Sequence, residues 1–315
     1  MVRKITFKNK QEWEAHKDAG FKISSSNIGI ICGLSEYISP YAYWKAVKTN
    51  TTKAQNEHTR RGILFEDAIA KYFEEVSTEK VVKNTSNYYV LRNDNFPDYI
   101  EVSPDRELFK NGRKSRLFLE IKDTKRTIDL KNNDDVPKEW YAQIQLQMYV
   151  GEYEHCILCV YGGDKMIDFR YFDLDTEFIE SALKYAIEWA ERYIFGEEEP
   201  ELSTKDDVIE KYLKPENNSV ANAEDSFASV IEAYNSVNYQ IGVLERSREE
   251  IKNKIAVKIA DKEILNIGGI DCATFKYQKK GSVDTEKLKS EYPDVYNACI
   301  KESEFRVLKI KRIKK

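Results

Sequence analysis

Leu117-Phe118-Leu119-Glu120-Ile121-Lys122 is the stretch on which the reading of this chain turns. It reads as an apolar strand carrying two opposite charges. Strand side chains alternate, so Glu120 and Lys122 leave one face while Leu119 and Ile121 leave the other. Burying a carboxylate and an ammonium together on a sheet is costly unless something is bound there. A short hairpin, with Asn111-Gly112 as its turn signal, folds this strand back on the one near Ser103-Pro104-Asp105. Asp105 thereby becomes a second carboxylate beside Glu120. Two carboxylates and one lysine suit a site that holds Mg²⁺ and hydrolyses a phosphodiester.

The Glu-x-Lys string is common by chance, and alone it describes a solvated surface pair. A rival Pro-Asp pair, Pro97-Asp98, lies farther from Glu120 in a turn-like run. The fold-back at Asn111-Gly112 favours Asp105. Glu66 is the third acidic candidate. It lies in a helix expected over Ile63–Val76, led in by Arg60-Arg61-Gly62 and striped by Ile69, Tyr72, Phe73 and Val76. Carboxylate oxygens are the hard ligands Mg²⁺ prefers, and two ions would activate the attacking water and stabilise the leaving 3′-oxygen. Lys122 suits a role in orienting or deprotonating that water, or in balancing developing charge.

A helix expected over Lys138–Val150, after Pro137, carries Gln143, Gln145 and Gln147. Gln143 and Gln147 are four apart and share a face, whereas Gln145 points elsewhere. Uncharged amides can hydrogen-bond phosphate oxygens or bases. A helix with one solvated face accounts for only one or two of the three.

Farther out, a helix is expected over 9–19. Ser24-Ser25-Ser26-Asn27 then offers caps to Ile28–Gly33, and Ser39-Pro40 opens a helix whose Tyr41, Tyr43 and Trp44 read as core. Strands are expected at 80–82, 87–91, 99–103, 156–161 and 166–172, and a helix at 175–195. Cys156 and Cys159 fall in opposite phases of a strand and read as buried thiols. Residues 1–200 form one expected domain and the acidic stretch 201–221 a linker. Residues 222–315 form an accessory region with a long helix at 224–260, short strands, a helix near 284–300 and a basic tail.

The composition, 41% hydrophobic and 33% charged, is that of a globular chain. No apolar run approaches the roughly 20 residues that span a bilayer, which points away from a membrane partner. Five cysteines, an odd number, argue against a disulfide framework and for a reducing compartment such as the cytoplasm. The net charge is −4, yet positive charge gathers at 110–126 and in Arg306–Lys315, where six of ten residues are basic. Such runs suit a phosphate backbone, although most charge runs are simply solvated faces. The tail's Val307, Leu308, Ile310 and Ile313 alternate with charge as in a partly packed strand.

In order and spacing, these motifs resemble the PD-(D/E)xK exonucleases of phage type, the YqaJ-like viral recombinases and phage lambda exonuclease. The resemblance rests on Trp13 with Lys22-Ile23-Ser24-Ser25-Ser26-Asn27, then Gly33-Leu34-Ser35 and Tyr37, and Arg61-Gly62-x3-Glu66. It continues through Ser103-Pro104-Asp105, Glu120-x-Lys122 and Ala142-Gln143-Ile144-Gln145. It implies an α/β fold with a mixed central sheet flanked by helices. It implies Mg²⁺ dependence, with Mn²⁺ as a substitute, and digestion of double-stranded DNA from its 5′ ends to leave 3′ single-stranded tails for recombination.

By the same resemblance Glu66, Asp105, Glu120 and Ile121 would surround the metal, and Lys122 would assist the nucleophile. Ser26, Ser103 and Gln145, with Gln143, would meet DNA and its terminal 5′-phosphate. The family often sets an Arg in the first helix to grip that phosphate. This chain has none there, leaving His16, Lys17 or Lys22. A single-strand annealing protein and a ring-like homo-oligomer are also implied. Two alternatives stand beside this reading: another PD-(D/E)xK repair nuclease, and a DNA-end-binding module without catalysis.

Overall fold

A computed structural model of the 315-residue chain describes residues 1–51, 57–77, 82–83, 88–110, 113–162, 165–216 and 219–311. It divides into two compact units, Met1–Val208 and Ile209–Lys315. The first unit opens with β1 (Val2–Thr6), α1 (Lys10–Asp18), the two-residue β2 (Ile23–Ser24), the single turn α2 (Ile28–Ile31), α3 (Pro40–Lys48) and α4 (Glu57–Val76). The strands β3 (Val82–Lys83), β4 (Tyr89–Asn93), β5 (Ile100–Glu101), β6 (Arg106–Lys110) and β7 (Arg113–Thr124) follow. They lead to α5 (Lys138–Gly151), β8 (His155–Gly162), β9 (Lys165–Asp173), α6 (Thr176–Trp189) and α7 (Lys205–Lys211).

Local chemistry starts these helices. Asn9 caps α1 by accepting from the Glu12 amide at 2.8 Å, and Ser39 caps α3 by accepting from Ala42 with Pro40 in the first turn. Asn27 does not cap α2 as expected. Its side chain closes the preceding turn, accepting from the Ser24 amide at 2.8 Å and donating to the Lys22 carbonyl and the Tyr43 hydroxyl. Gly29 in α2 lets α5 approach, since a Cβ there would meet the Glu139 backbone at 2.9 Å. Helix α4 begins earlier than expected and runs through Gly62. A mid-helix glycine costs roughly 1 kcal/mol, and the Arg61–Asp123 ion pair at 2.7 Å ties this turn to β7.

The main sheet has the order β3-β6-β7-β8-β9. Every neighbouring pair is antiparallel except β7 and β8, which are parallel and joined across α5. Two cores separate on its faces. Leu119, Ile121, Ile157 and Cys159 pack against Ile69, Ala70 and Phe73 of α4. Phe118, Cys156 and Leu158 pack against Ala142, Ile144, Leu146 and the inner side of α6. The two cysteines of β8 therefore belong to opposite cores. Val76, expected in the α4 stripe, is exposed, and Ala70 lies in the stripe instead. Tyr41 is buried beside Trp44, whose indole donates to the Tyr193 carbonyl.

The Asn111-Gly112 turn lies outside the described residues, as do positions 80, 81 and 87 of the expected strands. The stretch expected as linker contains α7, whose Asp207 carboxylate accepts from the amides of Ser203 and Thr204 at 3.0 and 2.9 Å.

The second unit is built on the 32-residue α8 (Ala228–Ile259), followed by the hairpin β10 (Ile264–Ile267) and β11 (Ile270–Thr274), then α9 (Thr285–Glu291) and α10 (Pro293–Cys299). Pro293 breaks the helix expected near 284–300 into two. Ile313 of the tail lies outside the described residues, and over the described part the tail is not a packed strand. Residues 300–311 carry no regular structure, and Val307 and Leu308 are exposed. Among the described residues no helix is long and apolar enough to cross a membrane.

Candidate active site

The alternation of β7 decides the site. Phe118, Glu120 and Lys122 face α5, while Leu119 and Ile121 face α4. Glu120 is 1% exposed. Its Oε1 accepts from Lys122 Nζ at 2.8 Å and from the Gln143 amide at 2.5 Å, and its Oε2 accepts from the Gln147 amide at 3.1 Å. Lys122 also donates to Gln143 Oε1 at 2.7 Å. Each charge therefore has hydrogen-bonded partners, which burial demands.

Asp105 arrives from the start of β6, and its Oδ2 accepts from the Ile121 amide at 2.8 Å. Burial, with the nearby charges of Glu120 and Glu66, pushes its carboxyl well above the ordinary carboxylate range. Burial by itself would lower the Lys122 ammonium, but the charges of Glu120 and Asp105 outweigh it and hold it above its ordinary value. Lys122 is thus a proton-bearing donor here.

Glu66 reaches the site from α4. Its carboxylate pairs with Arg106, whose guanidinium also meets Asp67 at 2.5 Å and the Asp105 carbonyl at 2.6 Å. Arg106 pairs in register with Leu119 and so shares the α4 face. It joins two of the three acidic candidates, and no feature of the Asp105-Arg106 string announces this. Among the described residues no three His, Cys, Asp or Glu side chains converge as a ready-made metal cluster. The donor chemistry still fits Mg²⁺. Asp105 and Glu120 are hard oxygen donors near enough for the charge of one to act on the other, and this ion is commonly held by one or two carboxylates with several waters.

The remaining expected residues divide. Gln143 belongs to the site. Gln145 does not: it is fully buried, donates to the Asp173 carbonyl at 3.0 Å and accepts from the Asp175 amide at 2.8 Å, which pins α5 to the start of α6. Gln147, like Gln143, reaches the Glu120 carboxylate. Besides Glu120 it contacts the Ser103 carbonyl at 3.3 Å, and its own Oε1 is buried without a partner.

Ser26 is exposed, with its hydroxyl 3.0 Å from that of Ser24. The Ser103 hydroxyl donates to the Tyr89 carbonyl at 3.0 Å. Lys22 is not free to grip a phosphate. Its ammonium donates to the carbonyls of His16 and Ala19 at 2.7 and 2.8 Å and closes the C-terminus of α1. His16 is bound to the Glu101 carboxylate at 2.9 Å, which Arg92 shares at 3.0 Å. The Lys17 ammonium lies 3.4 Å from the centre of the Trp13 ring. Asp98, the rival of Asp105, pairs with Arg3 at 3.0 Å away from this cluster.

Comparison with known proteins agrees with the motif order. Residues 12–154 match the YqaJ-like viral recombinase domain. The chain is 29% identical over 318 residues to the uncharacterized protein YqaJ of Bacillus subtilis (strain 168), covering 97% of this chain and 95% of that one. Among solved structures, LHK-Exo in complex with dAMP aligns with a TM-score of 0.44 and 16% identity over 59% of this chain and 93% of that one. LHK-Exo is an alkaline exonuclease from Laribacter hongkongensis. A phage related exonuclease from Haemophilus somnus 129PT aligns with a TM-score of 0.39 and 16% identity over 55% and 93%. Over residues 12–154 the chain is thus similar to the YqaJ-like viral recombinase domain family.

Proposed function

We propose that the protein is a divalent-metal-dependent nuclease that digests double-stranded DNA from its 5′ ends and leaves 3′ single-stranded tails for recombination. The observation that carries this reading is the joining of Asp105, Glu120 and Lys122 on one face of the sheet, with Asp105 bonded to the Ile121 amide. The recombinase family supports a DNA substrate.

In this reading Asp105 and Glu120 would hold Mg²⁺ together with the Ile121 main chain, and Glu66, paired with Arg106, would be the third carboxylate within reach of the site. The ion supplies Lewis acidity toward the attacking water and the departing 3′-oxygen. Lys122 contributes positive charge beside the scissile phosphate, and Gln143 keeps its ammonium aimed along the face it shares with Glu120. Gln147 fixes the second oxygen of Glu120, so that the carboxylate presents one geometry. Arg106 holds Glu66 near the site. Ser26 and Lys17 are the residues left to meet the DNA end, since Gln145, Lys22 and the Ser103 hydroxyl are engaged elsewhere.

The test is digestion of linear against covalently closed circular duplex, each with Mg²⁺ and with chelator. Loss of linear duplex alone, and only with metal, supports an end-dependent nuclease. Cleavage of the circle would replace it by an endonuclease, and no cleavage of either would leave end binding.

A further inference from the structure

The second unit carries a run of residues whose chemistry its own packing does not use. Phe275-Lys276-Tyr277-Gln278-Lys279-Lys280 leaves the end of β11, and all six residues are exposed. The hairpin still holds the first of them, since the Phe275 amide donates to the Glu263 carbonyl at 2.8 Å. From there to Asp284 the chain makes neither turn nor bend. An extended chain sets residues two apart on the same side. Phe275 and Tyr277 are so related, and they are 61% and 83% exposed. The positive charge beside these rings is uncompensated. Between Asp271 and Asp284 the sequence has no acidic residue, but it has Lys276, Lys279 and Lys280. Other lysines of this unit meet carboxylates: Lys252 with Glu249 at 3.2 Å, Lys262 with Asp261 at 3.0 Å and Lys287 with Glu291 at 3.9 Å. Among the described residues, Lys276, Lys279 and Lys280 have no such partner. A charge run alone is most often a solvated face. Aromatic rings interleaved with ammonium groups on one exposed stretch fit a narrower ligand, a polymer that offers flat apolar faces and a phosphate at each step. An unpaired nucleic-acid strand is such a polymer, whereas the base faces of a duplex are already stacked.

We infer that residues 275–280 form a binding site for single-stranded DNA, in which Phe275 and Tyr277 stack on bases and Lys276, Lys279 and Lys280 meet phosphates. Stacking and phosphate contact carry no base readout, so the site tolerates any sequence. A single strand is also what the proposed digestion leaves behind. The choice of DNA over RNA rests on that nuclease reading, whereas the binding of an unpaired strand does not.

Fluorescence anisotropy of labelled oligothymidine, oligouridine and duplex DNA with the full-length protein tests it, in chelator so that nothing is cut. Wild type should bind oligothymidine. Tyr277→Ala should weaken that binding about tenfold and leave duplex binding unchanged. Tyr277→Trp should keep the wild-type affinity, and its indole emission should be quenched as the strand binds. Lys276→Gln, Lys279→Gln and Lys280→Gln together should flatten the salt dependence of oligothymidine binding by about 2 in log-log slope, at roughly 0.7 for each phosphate contact on a single strand. All these positions are exposed, and circular dichroism checks that each variant is folded. Wild type that binds no oligothymidine overturns the inference. So do folded variants with unchanged affinity and salt slope, and so does an equal loss of duplex and single-strand binding in Tyr277→Ala. Tighter binding of oligouridine, with the same response to the variants, overturns the assignment to DNA. Digestion of duplex ends with Mg²⁺ is a separate measurement, and its failure would count against the catalytic reading and not against this site.

Discussion

Lys122 and Glu120 form an ion pair at 2.8 Å on one face of β7, and Gln143 closes it from α5, accepting from the lysine and donating to the carboxylate. The pair is made by residues two apart on a strand, so it forms whenever β7 forms. The clamp depends on α5 lying against the same face.

Removing one partner of this pair leaves the other charge buried without compensation, which typically costs about 3 kcal/mol or more. Lys122→Ala should therefore lower unfolding free energy by about 3 kcal/mol and abolish DNA cleavage. Lys122→Arg should regain part of the stability but not the cleavage, because the planar guanidinium cannot donate to Glu120 and Gln143 from one point as the ammonium does. Urea unfolding and a fluorescent-end digestion assay separate the two effects. A fully active Arg variant would contradict the geometric role.

Gln147 and Gln145 should behave differently although both are buried glutamines of α5. Gln147→Ala frees one oxygen of Glu120 and should reduce kcat about tenfold, with KM for DNA little changed. Gln145→Ala strips a partner from the Asp173 carbonyl and the Asp175 amide, costing about 1–3 kcal/mol of stability. The enzyme that remains folded should cleave normally. Equal kinetic loss in both variants would put Gln145 back at the DNA.

End recognition should follow Lys17 more than Lys22. Lys22→Ala opens the C-terminus of α1, a change worth about 0.3–1 kcal/mol in melting. It should leave the ratio of rates on 5′-phosphorylated and 5′-hydroxyl duplex as in wild type. Lys17→Ala should reduce that ratio. The opposite pattern would mean that Lys22 leaves its carbonyls when DNA binds.

Asp207 gives the pH dependence of stability. Burial would raise its carboxyl, but hydrogen bonds from Ser39, Ser203 and Thr204 outweigh it and leave the group below its ordinary value of 3.8. A depressed folded value means the stabilisation is complete above the unfolded value and is lost as pH falls through the folded one. Asp207→Asn should therefore destabilise the protein at pH 7, by about 1–3 kcal/mol, and the gap from wild type should close below about pH 4. Melting temperatures from pH 3 to pH 7 measure it. A gap independent of pH would assign the loss to packing.

How much of this was legible follows from range along the chain. The strand face of Glu120 and Lys122, the pairing of β6 with β7 and the shared face of Gln143 and Gln147 depend on local periodicity, and the motif order carried the family. The role of Gln147 was harder to see. Its partners are Glu120 and Ser103, far away in sequence, and three glutamines at even spacing look alike until α5 is set down. Arg106 was hidden for the same reason, since only the position of α4 brings Glu66 and Asp67 to it. Lys22 read as a free basic residue because no sequence signal distinguishes a phosphate ligand from a helix cap. The tail from Arg306 alternates like a strand but has no neighbouring strand to pair with among the described residues.

In the proposed nuclease, Asp105 and Glu120 together hold the divalent ion on which cleavage of DNA ends depends. The most direct test of this assignment is isothermal titration of Mg²⁺ or Mn²⁺ into wild type, Asp105→Asn and Asp98→Asn, run beside digestion of 5′-phosphorylated linear duplex. Metal binding and cleavage are expected in wild type and Asp98→Asn, and loss of both in a folded Asp105→Asn protein. Metal-dependent cleavage that survives Asp105→Asn and disappears in Asp98→Asn would contradict it.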